Sequence, residues 1–167
     1  MDPQAIFENF RRTVSEHYFD LHGRVGRSQF WYFVLAYVIG ALAAAILGAA
    51  LPLPVAEIYN LALLFPVAGI GARRLQDTGR DGKLVWAFII LGFVSQVVEI
   101  LAGASYAALG SWSLVFLAPQ LFLIKLALLV VSLVLIYFWC QPGDPNANAY
   151  GPPSPVFDPS HRVSPAP

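Results

Sequence analysis

Three ionisable side chains, Glu57, Glu99 and Lys125, interrupt stretches that are otherwise apolar. A charge at the centre of a bilayer costs about 2.5–3.5 kcal/mol on insertion scales, so such groups pair with one another or mark a path for protons or ions. Each lies 15 residues from the inner end of its own apolar run. At a helical rise of 1.5 Å per residue that puts all three at one level, about 22 Å in. This reads as a polar layer in the outer half of a helical bundle, with Lys125 paired to Glu99, Glu57 or both. The plain role for such a pair is to fix helix register, with Glu57 at the outer interface as a variant. The functional role is a proton- or cation-handling site, to which the nearby Ser95, Gln96 and Gln120 would contribute.

A second candidate is a set of arginines, Arg24, Arg27, Arg73 and Arg74. Guanidinium groups grip phosphate or carboxylate bidentately, so the set suits an anionic lipid headgroup or a phosphorylated ligand. Internal pairing with Asp20, Asp77 and Asp81 would instead stitch the N-terminal flank to the middle loop. For catalysis the signals are missing: no HExxH, CxxC or GxSxG occurs. His17, His22 and His161 have no cysteine or second histidine at ligand spacing, and the lone Cys140 allows neither an internal disulfide nor a multi-cysteine metal site. Gly79 and Gly82 suit a tight reversal, but the loop lacks the GK[ST] ending of a phosphate-cradling loop. The expectation is a non-enzymatic protein with no cofactor and no metal.

The elements that must position these groups are membrane helices. Of 167 residues, 57% are hydrophobic and only 12% charged, where a soluble domain averages about 25% charged. The mean hydropathy is +0.63. Ten basic and ten acidic residues cancel, which argues against a nucleic-acid partner. A helix crossing a ~30 Å hydrocarbon core needs about 20 apolar residues. Four runs fit: 30–51, 55–72, 84–104 and 114–140. The sequence therefore predicts an all-α polytopic protein with four transmembrane helices over residues 30–140. Eight cations (Arg11, Arg12, Arg24, Arg27, Arg73, Arg74, Arg80 and Lys83) flank one side of these runs, against none in the connectors on the other. By the positive-inside rule both termini and the 73–83 loop are cytoplasmic. The first run is too long, and its 29-residue leader too extended, for a cleaved signal peptide.

Residues 1–29 form a cytoplasmic flank. Phe7, Phe10, Val14, Tyr18 and Leu21 recur at helical spacing after the capping pair Asp2–Pro3, which predicts an amphipathic helix in the membrane plane or packed under the bundle. Residues 141–167 hold eight of the thirteen prolines. They are expected to begin in turns against the bundle and to continue as a disordered tail. Ala36, Gly40, Ala44 and Gly48 make a stripe for close helix approach, and Pro66 predicts a bend in the second run.

Three segments carry a resemblance: YFDLHGRVGRSQFW (18–31), ARRLQDTGRDG (72–82) and PGDPNANAYGPP (142–153). In order and spacing around four spans, they resemble the bacterial inner-membrane family known only as domain of unknown function 805. The resemblance covers roughly residues 18–153. It implies the fold, the topology and the inner membrane, with no activity attached. The chain departs from the pattern at His22, Gln76, Asp81 and Lys83; Gln76 stands where histidine is common, so no role for a loop histidine carries over. The resulting expectation is an inner-membrane protein that binds lipids, anionic phospholipid headgroups among them, or a membrane partner. It would do so singly or as a homo-oligomer. The alternative is a small oligomeric transporter or channel using Glu57, Glu99 and Lys125.

Overall fold

A computed structural model describes residues 3–51, 53–110 and 112–154. Asp2 and the proline-rich end beyond Ser154 lie outside the described residues. Among those residues all regular structure is helical: α1 (Pro3–Ser15), α2 (Arg27–Ala50), α3 (Val55–Ala62), α4 (Leu64–Asp77), α5 (Lys83–Leu109) and α6 (Trp112–Cys140). Three helices, α2, α5 and α6, are long and apolar enough to cross a membrane, and the α3–α4 pair would make a fourth if its two parts count as one span. The chain divides into two units, residues 1–82 with 141–167, and residues 83–140.

In the first unit the run expected as one span over 55–72 is split, with α3 and α4 bent by 45° at Leu63. Pro66 is the cause. A helix continuing through it would bond the amide of residue 66 to the carbonyl of Ala62, and proline has no N–H to give. The Tyr18 hydroxyl donates to the Ala62 carbonyl instead, at 2.6 Å. The amphipathic helix stops at Ser15 rather than running on to Leu21, and Tyr18, beyond its end, reaches the break.

Helix α1 packs along α2 in the opposite direction. Asn9 Nδ2 donates to the Gln29 carbonyl at 2.9 Å, Phe10 stacks on Phe33 with centroids 5.4 Å apart, and Ile6 and Phe7 border a groove with Ala36, Ile39 and Gly40. The small-residue stripe on α2 receives α3: a Cβ on Gly40 would lie 2.3 Å from the Tyr59 hydroxyl, which donates to the Tyr37 carbonyl at 2.9 Å. Helix α4 is the core of the unit, buried at Pro66 and from Ala68 to Asp77. Its small residues let backbone come close, and a side chain on Gly69 would strike the Asp20 carbonyl at 2.7 Å.

Helix α4 ends as the two loop glycines suggest, but each glycine serves differently. Gly79 takes a left-handed φ of 76°, and the amides of Gly79 and Arg80 return to the carbonyls of Gln76 and Leu75 at 3.1 and 3.0 Å, closing a Schellman motif. Gly82 is required for space, since a Cβ there would sit 2.8 Å from that of Ala72. The second unit is the α5–α6 hairpin, carrying Glu99 and Lys125.

Candidate functional site: a buried arginine–aspartate–arginine junction

Asp77 closes α4 one residue before its cap, and its carboxylate is only 3% exposed. Two guanidinium groups neutralise it. Arg24, in the loop before α2, donates from Nε to Oδ1 at 2.9 Å; Arg74, one turn back on α4, donates from Nη1 to Oδ2. These arginine side chains are 2% and 0% exposed. Two cations around one anion leave a buried surplus of positive charge, which carbonyl dipoles must absorb.

The segment after α6 supplies them. Arg74 Nη2 donates to the Gln141 carbonyl. Arg24 Nη1 reaches the carbonyls of Asn146 at 2.7 Å and Gly151 at 3.3 Å, and its Nη2 that of Asp144. Only arginine carries enough donors in a fixed fork to serve this many acceptors from one buried position. The backbone adds to the seam: the Asp144 amide donates to the Asp77 carbonyl at 2.8 Å, Asn148 Nδ2 to the Gln76 carbonyl at 3.0 Å, and Ser154 Oγ to Asp77 Oδ1 at 3.2 Å. Turns of the expected kind shape the segment. Asp144 Oδ1 accepts the Asn146 amide at 3.0 Å and Asn148 Oδ1 the Tyr150 amide at 2.9 Å, the local bonding by which Asx side chains set turns. A Cβ on Gly143 would fall 2.1 Å from Asp77 Oδ2, so only glycine lets the backbone lie against the carboxylate.

The junction joins the three quoted segments. Val25 N donates to the Arg73 carbonyl at 3.3 Å, and Gln76 Nε2 to the Leu21 carbonyl at 3.1 Å. Arg73, 8% exposed, has Asp20 at 3.6 Å. Arg27 differs from the other three arginines. It is exposed at the first position of α2, on the wall of a cavity of about 390 Å³ bordered by Arg24, Ser28, Pro142, Asp144 and Ser154. The N-cap of α2, Gly26, makes no side-chain capping bond. Asp77, Gly143 and Ser154 belong to this site although the arginine set alone did not include them. Their sequence signal was an acid three residues after the Arg73–Arg74 pair and a Gly–Asp turn following the last span.

The other expected site is divided between the two units. Lys125 Nζ lies 2.5 Å from Glu99 Oε1 in the α5–α6 hairpin, and Glu57 is exposed in the first turn of α3. Among the described residues no group of three or more His, Cys, Asp or Glu side chains is arranged to hold a metal.

The family model described as "Protein of unknown function (DUF805)" matches residues 18–152, from Tyr18 to the far side of the junction. The chain belongs to that family. It is 28% identical over 143 residues to "Inner membrane protein YhaI" of Escherichia coli strain K12, covering 83% of this chain and 89% of the relative. "Uncharacterized protein YiiR" of the same strain is 28% identical over 144 residues, covering 83% and 88%. "Inner membrane protein YhaH" is 26% identical over 146 residues, covering 83% and 90%. No solved structure matches the chain. The family match takes in every residue of the junction except Ser154, so the family's extent and the extent of the buried seam nearly coincide.

Proposed function

We propose that the chain is a multi-pass inner-membrane protein without enzymatic activity, which holds an anionic phospholipid headgroup at its cytoplasmic face. It crosses the bilayer four times, α3 and α4 serving as one bent span, with both termini and the 73–83 loop in the cytoplasm. The cation asymmetry and the inner-membrane names of two relatives support that placement. The observation that carries the reading is the cavity at the start of α2. Arg24 and Asp77 line it, Arg74 braces Asp77 from behind, and Arg27 presents an exposed cation on its wall, at the N-terminus of a helix.

The test is lipid retention by the full chain in nanodiscs containing phosphatidylglycerol or phosphatidylcholine, read by native mass spectrometry after a detergent wash. Wild type keeps phosphatidylglycerol in preference to phosphatidylcholine. Arg27→Gln lowers that retention roughly tenfold, the loss of one charge-assisted contact of about 1.5 kcal/mol. Equal retention of the two lipids by wild type refutes the reading.

A further inference from the structure

The Glu99–Lys125 pair is held within one hairpin yet left open. Ser95 Oγ donates to the Glu99 carboxylate at 3.0 Å, while the Lys125 side chain remains 57% exposed and that of Glu99 37%. Both belong to helices apolar enough to span a bilayer, where a lipid tail offers an ion no hydrogen bond. The surface around them is shaped for a close neighbour. Gly92, Gln96, Glu99 and Gly103 follow one another at four-, three- and four-residue steps on α5, so they share a helix face. No other part of the hairpin comes within 4 Å of where a Cβ on Gly92 or Gly103 would sit.

We infer that this face joins a second copy of the chain, the Lys125 ammonium of each copy reaching the Glu99 carboxylate of the other. Copies inserted under one charge rule share an orientation, so the axis relating them runs along the bilayer normal. Rotation about that axis leaves every residue at its own depth. Glu99 and Lys125 are already level, being bonded to each other, so the reciprocal contact needs no vertical shift. A pair of opposite charges is self-complementary in a two-fold interface, as an isologous contact requires. The glycines on either side allow the backbones to approach. An apolar helix from another protein would leave both ions uncovered.

The experiment uses the full chain with Cys140→Ser as background, in native-lipid nanodiscs. Copies with Glu99→Lys and copies with Lys125→Glu, differently tagged, lose the pair within each chain and regain it only between unlike copies. Co-expressed, they are expected to co-purify at least tenfold above either variant with itself. In the same background, Gly92→Cys is expected to give oxidative dimers about tenfold faster than Ile90→Cys, which is at nearly the same depth on the opposite face. This second readout stands even if the charge variants fail to insert. Equal cross-linking at the two positions, or a monomeric mass for wild type, would overturn the inference.

Discussion

The two units each carry an ion pair, and the pairs are built in opposite ways. At the Arg24–Asp77–Arg74 junction every side chain is sealed from solvent, and three segments far apart in sequence supply the partners. At Glu99–Lys125 two neighbouring helices of a hairpin supply one contact, one serine assists, and both charges stay partly open. Burial makes the first arrangement all-or-none: its charges are tolerable only while each donor has an acceptor. The second can lose a member at smaller cost, because a polar contact between two membrane helices contributes on average only about 0.6 kcal/mol.

That contrast breaks first at Asp77. Asp77→Asn leaves two buried guanidinium groups without an anion, and removing one member of a buried charge network costs about 3–5 kcal/mol. The expected result is a large drop in melting temperature in detergent, with early proteolysis of the segment after Cys140. A variant as stable as wild type would show the junction to be incidental. Next comes Lys125→Met, whose expected cost is about 0.6–1.7 kcal/mol, the range of polar contacts between membrane helices. A loss as large as that of Asp77→Asn, measured in the same thermal assay, would erase the distinction between the two units.

The smallest effect sharpens the comparison at its exposed limit. On α1, Glu8 accepts from Arg11 at 2.7 and 3.0 Å, and this bond holds its carboxyl below the ordinary value of 4.5. A carboxyl whose pKa is lowered by folding contributes stability that is complete above the unfolded value and lost as pH falls through the folded one. The protection of α1 amides relative to their intrinsic exchange rates should therefore fall as pH drops below about 4.5, and Glu8→Gln should flatten that fall. Unchanged protection across the window would assign the pair no role in holding α1.

Much of this could be read in the chain beforehand. Long apolar runs identify α2, α5 and α6, because a helix that crosses a bilayer needs about 20 predominantly apolar residues. Pro66 marks the bend because its missing amide is a local fact. The Gly79 reversal follows from the same kind of argument. Pairing between the arginines and nearby aspartates was legible as a class, but the choice of Asp77 as the shared anion was not. That choice depends on where residues 141–154 return, and no spacing rule connects them to residue 24. The direction of α1 was hidden for a similar reason: an amphipathic stripe says that one face is covered, without saying by what.

Hydrophobic length, charge asymmetry and turn chemistry were thus determined by the order of residues alone, since none of them requires a contact between segments distant in the chain. The tertiary structure alone decided which carbonyls quench Arg24 and Arg74, why position 143 admits only glycine, and that Tyr18 occupies the carbonyl freed by Pro66. These are contacts between segments 44 to 127 residues apart, and their energies exist only once the backbone has brought the two ends together.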